Sequence, residues 1–297
     1  MSKLIECIPN FSEGRDMERI AQLVAVSKSI PGVTLLDHSI DASHNRSVFT
    51  LIGDPQGIAE AAFQLCKKAS EIIDMTKHVG EHPRMGSVDV VPFVPVREIS
   101  VDECIELSKI VAKRVWDELG IPGFLYEYSA SSPARQNLAA IRKGQFEGMS
   151  EKLLEEGWAP DFGQRKIHPT AGITAFGARP PLIAYNVNLD TPDIEIANNI
   201  AKTIRGSSGG FQYCKAIGVK LEEKNIVQVS MNMVNYEGTP LYEVFEAIKD
   251  EAMRRGVQIA GSEIVGLVPA KALIDCAEYY LQIEDFKYDK NVLETYL

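Results

Sequence analysis

The chain has 297 residues, 45% hydrophobic and 24% charged, with a formal charge of −10 at neutral pH; this is an ordinary globular composition with material for two compact domains. That acidic balance disfavours nucleic acid and anionic membrane as partners, and no apolar run approaches the roughly 20 residues that span a bilayer. Five cysteines, an odd number without close pairs, argue against a zinc ribbon or a disulfide framework, and with an N-terminus that lacks a secretory pattern they point to the cytoplasm.

In chain order, Lys3–Ile8 predicts a strand ended by Pro9, Asn10–Gly14 a polar loop, and Asp16–Ser29 a helix with Ile20, Leu23 and Val24 inward. Pro31-Gly32 turns the chain into a second strand, Val33–Asp37. Ser39–Asn45 reads as a polar loop before a third strand, Ser47–Ile52. Asp54 caps and Pro55 opens a helix over Pro55–Lys77. Gly80 is placed to end that helix in a left-handed conformation, and Pro83 forbids its resumption. Val88–Val94 is a fourth strand, which Pro92 and Pro95 put at a sheet edge or a strand end. Additions follow. Ser100–Glu103 matches a capping box and starts a helix to Leu119. Phe124–Tyr128 reads as a short strand and Pro133–Arg142 as a helix. The passage from Trp158 to Pro181 is mostly irregular, and a connection that long inside a compact chain is commonly functional.

The second half repeats the order of the first. Leu182–Asn188 is a strand, and Thr191-Pro192 starts a helix to Ile204. Gln212–Lys220 and Ile226–Val234 are strands about a turn at Glu222–Asn225. Thr239-Pro240 opens a helix to Arg255, Val257–Val265 is the last strand of the set, and Ala270–Leu281 is a tail helix. The fold class is therefore α/β (α+β): two ferredoxin-like βαββαβ subdomains, with additions to the first. The expected division is 1–178, carrying the catalytic loop, and 179–297.

Three constellations carry chemistry. The first is IDMTKHVGEHPRMGSVDV, which packs His78, Glu81, His82, Arg84 and Asp89 onto a connection between helix and strand. His78 and His82 would share a metal only on one continuous helix, which Gly80 and Pro83 interrupt. His78 reads instead as a surface residue at a helix end. His82, fixed by proline and flanked by glycines, is the acid–base candidate. Arg84 either pairs with Glu81 or Asp89 or holds a carboxylate bidentately. Asp89 must be paired if it faces inward. The second is DHSIDASHNR, with His38, Asp41, His44, Asn45 and Arg46; it is either a plain turn or a second wall of the site, with Asn45 and Arg46 facing His82. The third is Gly163, Gln164, Arg165, Lys166, Ile167, His168, Pro169, Thr170, Ala171 and Gly172, with charge for an anion and glycines for close backbone approach; its alternative is a solvated linker. Arg205–Gly210 looks superficially like a phosphate loop, but it lacks the Lys-Ser/Thr ending and follows a helix.

IECIPNFSEG (Ile5–Gly14), IDMTKHVGEHPRMGSVDVVPFVPV, WAPDFG and SEIVGLVPAKAL together closely resemble the glutamate formiminotransferase family, over essentially the whole chain, and GEHPRMG is the most specific of these motifs. The resemblance implies transfer of a formimino group between N-formimino-L-glutamate and tetrahydrofolate in histidine degradation, with 5-formyltetrahydrofolate as a further substrate to test. It implies tetrahydrofolate as co-substrate, no metal, a homodimer, and two α/β subdomains with folate between them. The family's catalytic histidine falls on His82 and its folate-binding segment on Gly163–Gly172. Both substrates are anionic, so an acidic protein needs local cations; Arg84, Arg165, Lys166 and Arg179 are expected to supply them, with Asn45 and Arg46 as further substrate-binding candidates. Animal members continue into a cyclodeaminase domain that this chain is too short to hold, so a monofunctional form with a separate cyclodeaminase is expected. Animal members also carry an acid two residues after the position of Asp37; here that residue is Ser39, with Asp41 nearby, and no acid is carried over to it. Two readings stay open beside this one: a metal-assisted amidohydrolase using His78, His82 and Asp89, and a folate-binding protein without turnover.

Overall fold

In a computed structural model that describes residues 2–296, the first half of the chain folds around a seven-stranded mixed sheet. Strands β1 (Leu4–Cys7) and β2 (Asn10–Phe11) are two pieces of one broken strand, separated by Pro9. After helix α1 (Met17–Ser29), strands β3 (Val33–Asp41) and β4 (Arg46–Gly53) form a hairpin, and helix α2 (Pro55–Ile72) leads to β5 (Val88–Arg97). Both pieces of the broken strand pair with β4 on one side and β5 on the other. The order β3–β4–β1/β2–β5 is that of a βαββαβ unit. Strand β4 alternates strictly, which turns Ser47, Phe49, Leu51 and Gly53 toward the helices. Phe11 and Phe49 meet there edge to face, with ring centroids 5.0 Å apart. Each such fully buried side chain contributes about 1.5–3 kcal/mol.

The additions extend this sheet on the outer side of β5. Helix α3 (Val101–Leu119) begins at a capping box in which the Ser100 hydroxyl accepts the Glu103 N–H and the Glu103 carboxylate accepts the Ser100 N–H. It leads to β6 (Gly123–Leu125), then to the short helices α4 (Leu138–Arg142) and α5 (Gln145–Lys152), then to β7 (Thr174–Ala178). Strand β7 lies between β5 and β6, parallel to both. Ile141, Met149 and Leu153 of the short helices close a second core with Met85, Val90, Phe124, Ile173 and Ala175.

The chain divides into two compact units, Met1–Arg179 and Pro180–Leu297. The second runs β8 (Ile183–Leu189), α6 (Ile194–Ile204), β9 (Cys214–Leu221), β10 (Ile226–Met233), α7 (Leu241–Arg254) and β11 (Ile259–Val265), followed by α8 (Ala270–Leu281) and α9 (Tyr288–Asn291). Its four-stranded antiparallel sheet has the order β11–β8–β10–β9, the same arrangement as in the first unit. Ile183, Tyr185, Val187 and Leu189 alternate inward opposite Val227, Val229, Met231 and Met233.

Several expectations need correction. The passage Trp158–Pro181 contains β7: its residues Thr-Ala-Phe-Gly-Ala are all buried, so they show no alternation to read. Strand β5 is interior, not an edge, because β7 lies beyond it. Its prolines fall where pairing lapses: Pro92 faces the break between β1 and β2, and Pro95 lies past the last β5–β7 pair, at a register shift of β1. Helix α2 stops at Ile72, because the Asp74 carboxylate takes the Thr76 N–H and opens a separate 3-10 turn, Met75–Lys77. Gly80 is not left-handed; it is needed because a Cβ there would stand 2.3 Å from the His44 carbonyl oxygen. Strand β3 continues to Asp41, shortening the polar loop. Pro133–Arg142 is a 3-10 turn followed by α4, which restarts because Asn137 caps it through the Ala139 N–H. The strand expected over Phe124–Tyr128 ends at Leu125. Asp193, not Thr191, caps α6.

Candidate active site

The β3–β4 hairpin turns through Ala42–Asn45, and Asn45 closes it in the left-handed region with φ 49°. An Asn tolerates that conformation better than most residues. Its buried amide ties three loops together: Oδ1 accepts the Gly14 N–H at 2.9 Å and Nδ2 donates to the Val79 carbonyl at 3.0 Å. Arg15 holds the same turn from the start of α1, with Nε donating to the Ala42 carbonyl at 2.7 Å and Nη2 to that of Ser43. The loops after β2 and after the 3-10 turn are thereby fixed against the hairpin, and His82 is carried on the second of them.

Arg46 opens β4 and meets His82: Nη1 donates to the imidazole Nε2 at 2.6 Å, and Nη2 donates to Asn10 Oδ1. Its buried Nε has no hydrogen-bond partner among the described residues. Burial, reinforced by the positive charges of Arg46 and Arg142 and by His44, lowers the His82 pKa to about 3, so the ring is neutral at physiological pH. Burial likewise lowers Arg46 to about 10, which leaves its guanidinium charged. The His44 ring stands edge-on to His82 with centroids 6.0 Å apart, and its Nδ1 is hydrogen-bonded to Asp41 Oδ2 at 2.6 Å.

Around this pair the polar side chains are strongly coupled. His78 is half-buried rather than on the surface; its Nε2 donates to the Asn45 carbonyl at 2.9 Å, and its Nδ1 accepts from Arg84 Nε at 3.1 Å. Arg84 is 7% exposed and forks onto Glu147 at 2.5 and 2.8 Å, with Gln145 as a further acceptor, so its carboxylate partner is neither Glu81 nor Asp89. Asp89 faces inward and is paired, accepting from the Met85 N–H at 3.0 Å and from Arg142 Nη2. A small cavity is bounded by Phe11, Ser12, His44, Asn45, Arg46, His78, His82, Arg84 and Asp89. The set His78, His82 and Asp89 does not suit a metal: both His78 nitrogens, His82 Nε2 and both Asp89 oxygens already bond within the protein.

The segment Gly163–Gly172 has two parts. Its end lies on the loop after His82: the Ser87 N–H donates to the Ala171 carbonyl at 2.9 Å, the Ile173 N–H to that of Met85 at 3.1 Å, and the Met75 N–H to that of Thr170 at 2.8 Å. Gly172 is left-handed, with φ 73°, and a Cβ there would lie 2.2 Å from the Met85 oxygen. His168 closes the turn, accepting the Ala171 N–H at Nδ1. Pro169 is exposed beside it. Its beginning lies elsewhere: Gly163 sits against Trp116 and Pro122, Gln164 and Lys166 are exposed, and Arg165 donates to the Leu154 carbonyl at 3.1 Å. Ile167 packs on the second core of the unit. Arg179 follows β7, its N–H donating to the Phe93 carbonyl at 3.1 Å.

Sequence reasoning singled out His82, Asn45 and Arg46, which the structure brings together. It did not find Asn10, Arg142 or Glu147. Asn10 lies in β2, in a stretch that reads from sequence as a plain polar loop with no chemical signal of its own. Arg142 and Glu147 are ordinary surface types whose partners, Asp89 and Arg84, are more than fifty residues away in sequence.

Compared with known proteins, residues 4–179 match the formiminotransferase domain, N-terminal subdomain, and residues 184–293 match the formiminotransferase domain. A glutamate formimidoyltransferase of Streptococcus pyogenes serotype M1 is 69% identical over 297 residues, covering 100% of this chain and 99% of its own. One of Thermoplasma acidophilum is 48% identical, covering 98% of this chain and 96% of its own. A formimidoyltransferase-cyclodeaminase of Mus musculus is 44% identical over 96% of this chain, which spans 53% of that longer protein.

Proposed function

The chain belongs to the formiminotransferase family, and from that premise we propose that it is a glutamate formimidoyltransferase. It moves the formimino group between N-formimino-L-glutamate and tetrahydrofolate, giving 5-formimidoyltetrahydrofolate and L-glutamate, in histidine degradation. The observation that carries this reading is the 69% identity to a glutamate formimidoyltransferase over the full length of both chains. The family resemblance further implies a homodimer, and sedimentation at micromolar concentration checks it.

The chemistry exchanges one nitrogen for another on an amidine carbon. The folate N5 attacks that carbon and a tetrahedral adduct forms. N5 must lose a proton and the departing glutamate nitrogen must gain one, and neither movement requires a change of oxidation state. His82 is the base, and its neutral ring supports that role. Arg46 is the cation suited to a substrate carboxylate: it is charged and part-buried, and it bonds to neutral partners, Asn10 and His82, rather than to a carboxylate. Drawing Arg46 onto a carboxylate would release the His82 lone pair at the moment substrate arrives. Arg84 and Asn45 act behind these groups and hold the loops, since their polar atoms are engaged within the protein. The turn His168–Gly172 is the part of the folate segment nearest the His82 loop; Arg165, Lys166 and Arg179 supply cations for the folate glutamate tail.

The deciding assay mixes protein, formiminoglutamate and tetrahydrofolate and follows 5-formimidoyltetrahydrofolate. Bound folate without product would indicate a binding protein. Chelator-sensitive hydrolysis of formiminoglutamate without folate would indicate an amidohydrolase. Running the same assay with 5-formyltetrahydrofolate and glutamate tests formyl transfer.

A further inference from the structure

We propose that Asp41 and His44 form a second proton-transfer pair in this site: His44 is the acid that protonates the departing glutamate nitrogen, while His82 takes the proton from the attacking amine. The proposal rests on the transferase reading and divides a labour that one histidine would otherwise perform alone.

The geometry is that of an oriented imidazole. Asp41 binds His44 with both oxygens, Oδ2 to the ring Nδ1 at 2.6 Å and Oδ1 to the backbone N–H at 2.9 Å. This fixes the ring and places a proton on Nδ1. Nε2 is then the working nitrogen, and it has no hydrogen-bond partner among the described residues, whereas the His82 Nε2 is held by Arg46. The backbone behind His44 is held as well. Arg15 bonds to the carbonyls of Ala42 and Ser43, and the Asn45 side chain bridges Gly14 and Val79. Gly80 lets its own loop come against the His44 carbonyl, where a Cβ would clash.

The charges around the two rings differ in sign. His82 faces Arg46 from β4 and Arg142 from α4, with Arg84 and His78 on its own loop and Asp89 of β5 already paired to Arg142. His44 faces Asp41 across the hairpin, with His82 beside it and Arg15 on the far side of the turn bonded to backbone. Of these two imidazoles, His44 is the one with a carboxylate counter-ion, so it is the one suited to carry a proton into the reaction. His82, in a field of cations, is suited to begin neutral.

The proton balance is complete. N5 forms its bond to the amidine carbon with its lone pair, and the C=N electrons move onto the imino nitrogen. His82 takes the N5 proton. The bond from carbon to the glutamate nitrogen breaks with its electrons on that nitrogen, which receives the His44 proton, and the C=N bond reforms. The cycle leaves His82 protonated and His44 neutral. Their rings are neighbours, so one proton passing between them, directly or through water, restores the starting state with no outside reactant.

The test compares wild type with H44Q and D41N in the transfer assay, measuring kcat and KM for formiminoglutamate across pH 5.5–9.5. H44Q is expected to lower kcat on the order of 10²-fold with KM changed less than about twofold, and to abolish the high-pH limb of the kcat profile, which reports loss of the acid. D41N is expected to lower kcat by roughly 10-fold with KM little changed, because the ring is no longer held in orientation, and added imidazole should restore part of the activity of H44A. Both positions are exposed, so the variants should keep the wild-type circular dichroism; should H44Q misfold, the fall of kcat at unchanged KM in D41N decides the matter. Wild-type kcat in H44Q, a loss confined to KM, or an unchanged high-pH limb would overturn the pair while leaving the transferase standing. A wild-type protein that makes no 5-formimidoyltetrahydrofolate would overturn the transferase reading and the pair with it.

Discussion

His82 can act as a base only when its lone pair is free, and in this structure Arg46 occupies it. Replacing His82 by Ala should lower kcat by roughly 10²–10⁴-fold without loss of fold, measured by steady-state assay beside circular dichroism. Replacing Arg46 by Gln removes a nearby positive charge, so the His82 titration midpoint should rise from its depressed value of about 3 toward the ordinary 6.5; the imidazole C2–H resonance reports it. The stability sign follows. A folded value below the unfolded one means that the neutral ring favours the fold above about pH 6.5. That contribution is lost as pH falls from there toward 3, and the loss should be smaller in Arg46→Gln. His82 was legible because its neighbours, two glycines and a proline, are turn formers around an ionisable group. Its tuning was not, since Arg46 and Arg142 reach it from distant parts of the chain.

Elements were legible where local chemistry settles them. The Ser100–Glu103 box, the Asp54-Pro55 start of α2 and the alternation of β4 and β10 are written in consecutive residues. Strand β7 was missed because burial on both faces erases alternation, and the interior position of β5 was missed with it. The same junction gives two tests. Asp89 of β5 is 3% exposed and holds Arg142 of α4, so Asp89→Asn leaves a largely buried cation without its counter-ion and should cost about 3–5 kcal/mol in urea unfolding. Gly172→Ala places a methyl 2.2 Å from the Met85 oxygen at a left-handed position. It should destabilise by at least about 1 kcal/mol and weaken folate binding, read by urea unfolding and by fluorescence titration, because it pushes the His168–Gly172 turn off the His82 loop.

At the scale of the molecule, the repeated strand–helix–strand–strand–helix–strand order identified two units whose βαββαβ strands share one order, with β6 and β7 added to the first. The net charge of −10 and the sequence pI of about 5.1 predict a solubility minimum near pH 5, checked by light scattering across pH 4–8. The site itself is locally cationic inside that acidic envelope, a contrast that composition could not reveal. Strand β7 arrives late in the chain yet lies between β5 and β6. During synthesis those two earlier strands must therefore wait with facing edges unpaired, a state open to aggregation until the last strand slots between them. Because the residues that lead into β7 are the proposed folate segment, that segment takes its shape only as the sheet closes: refolding monitored by recovery of folate binding should report the final, slowest step of this unit's assembly.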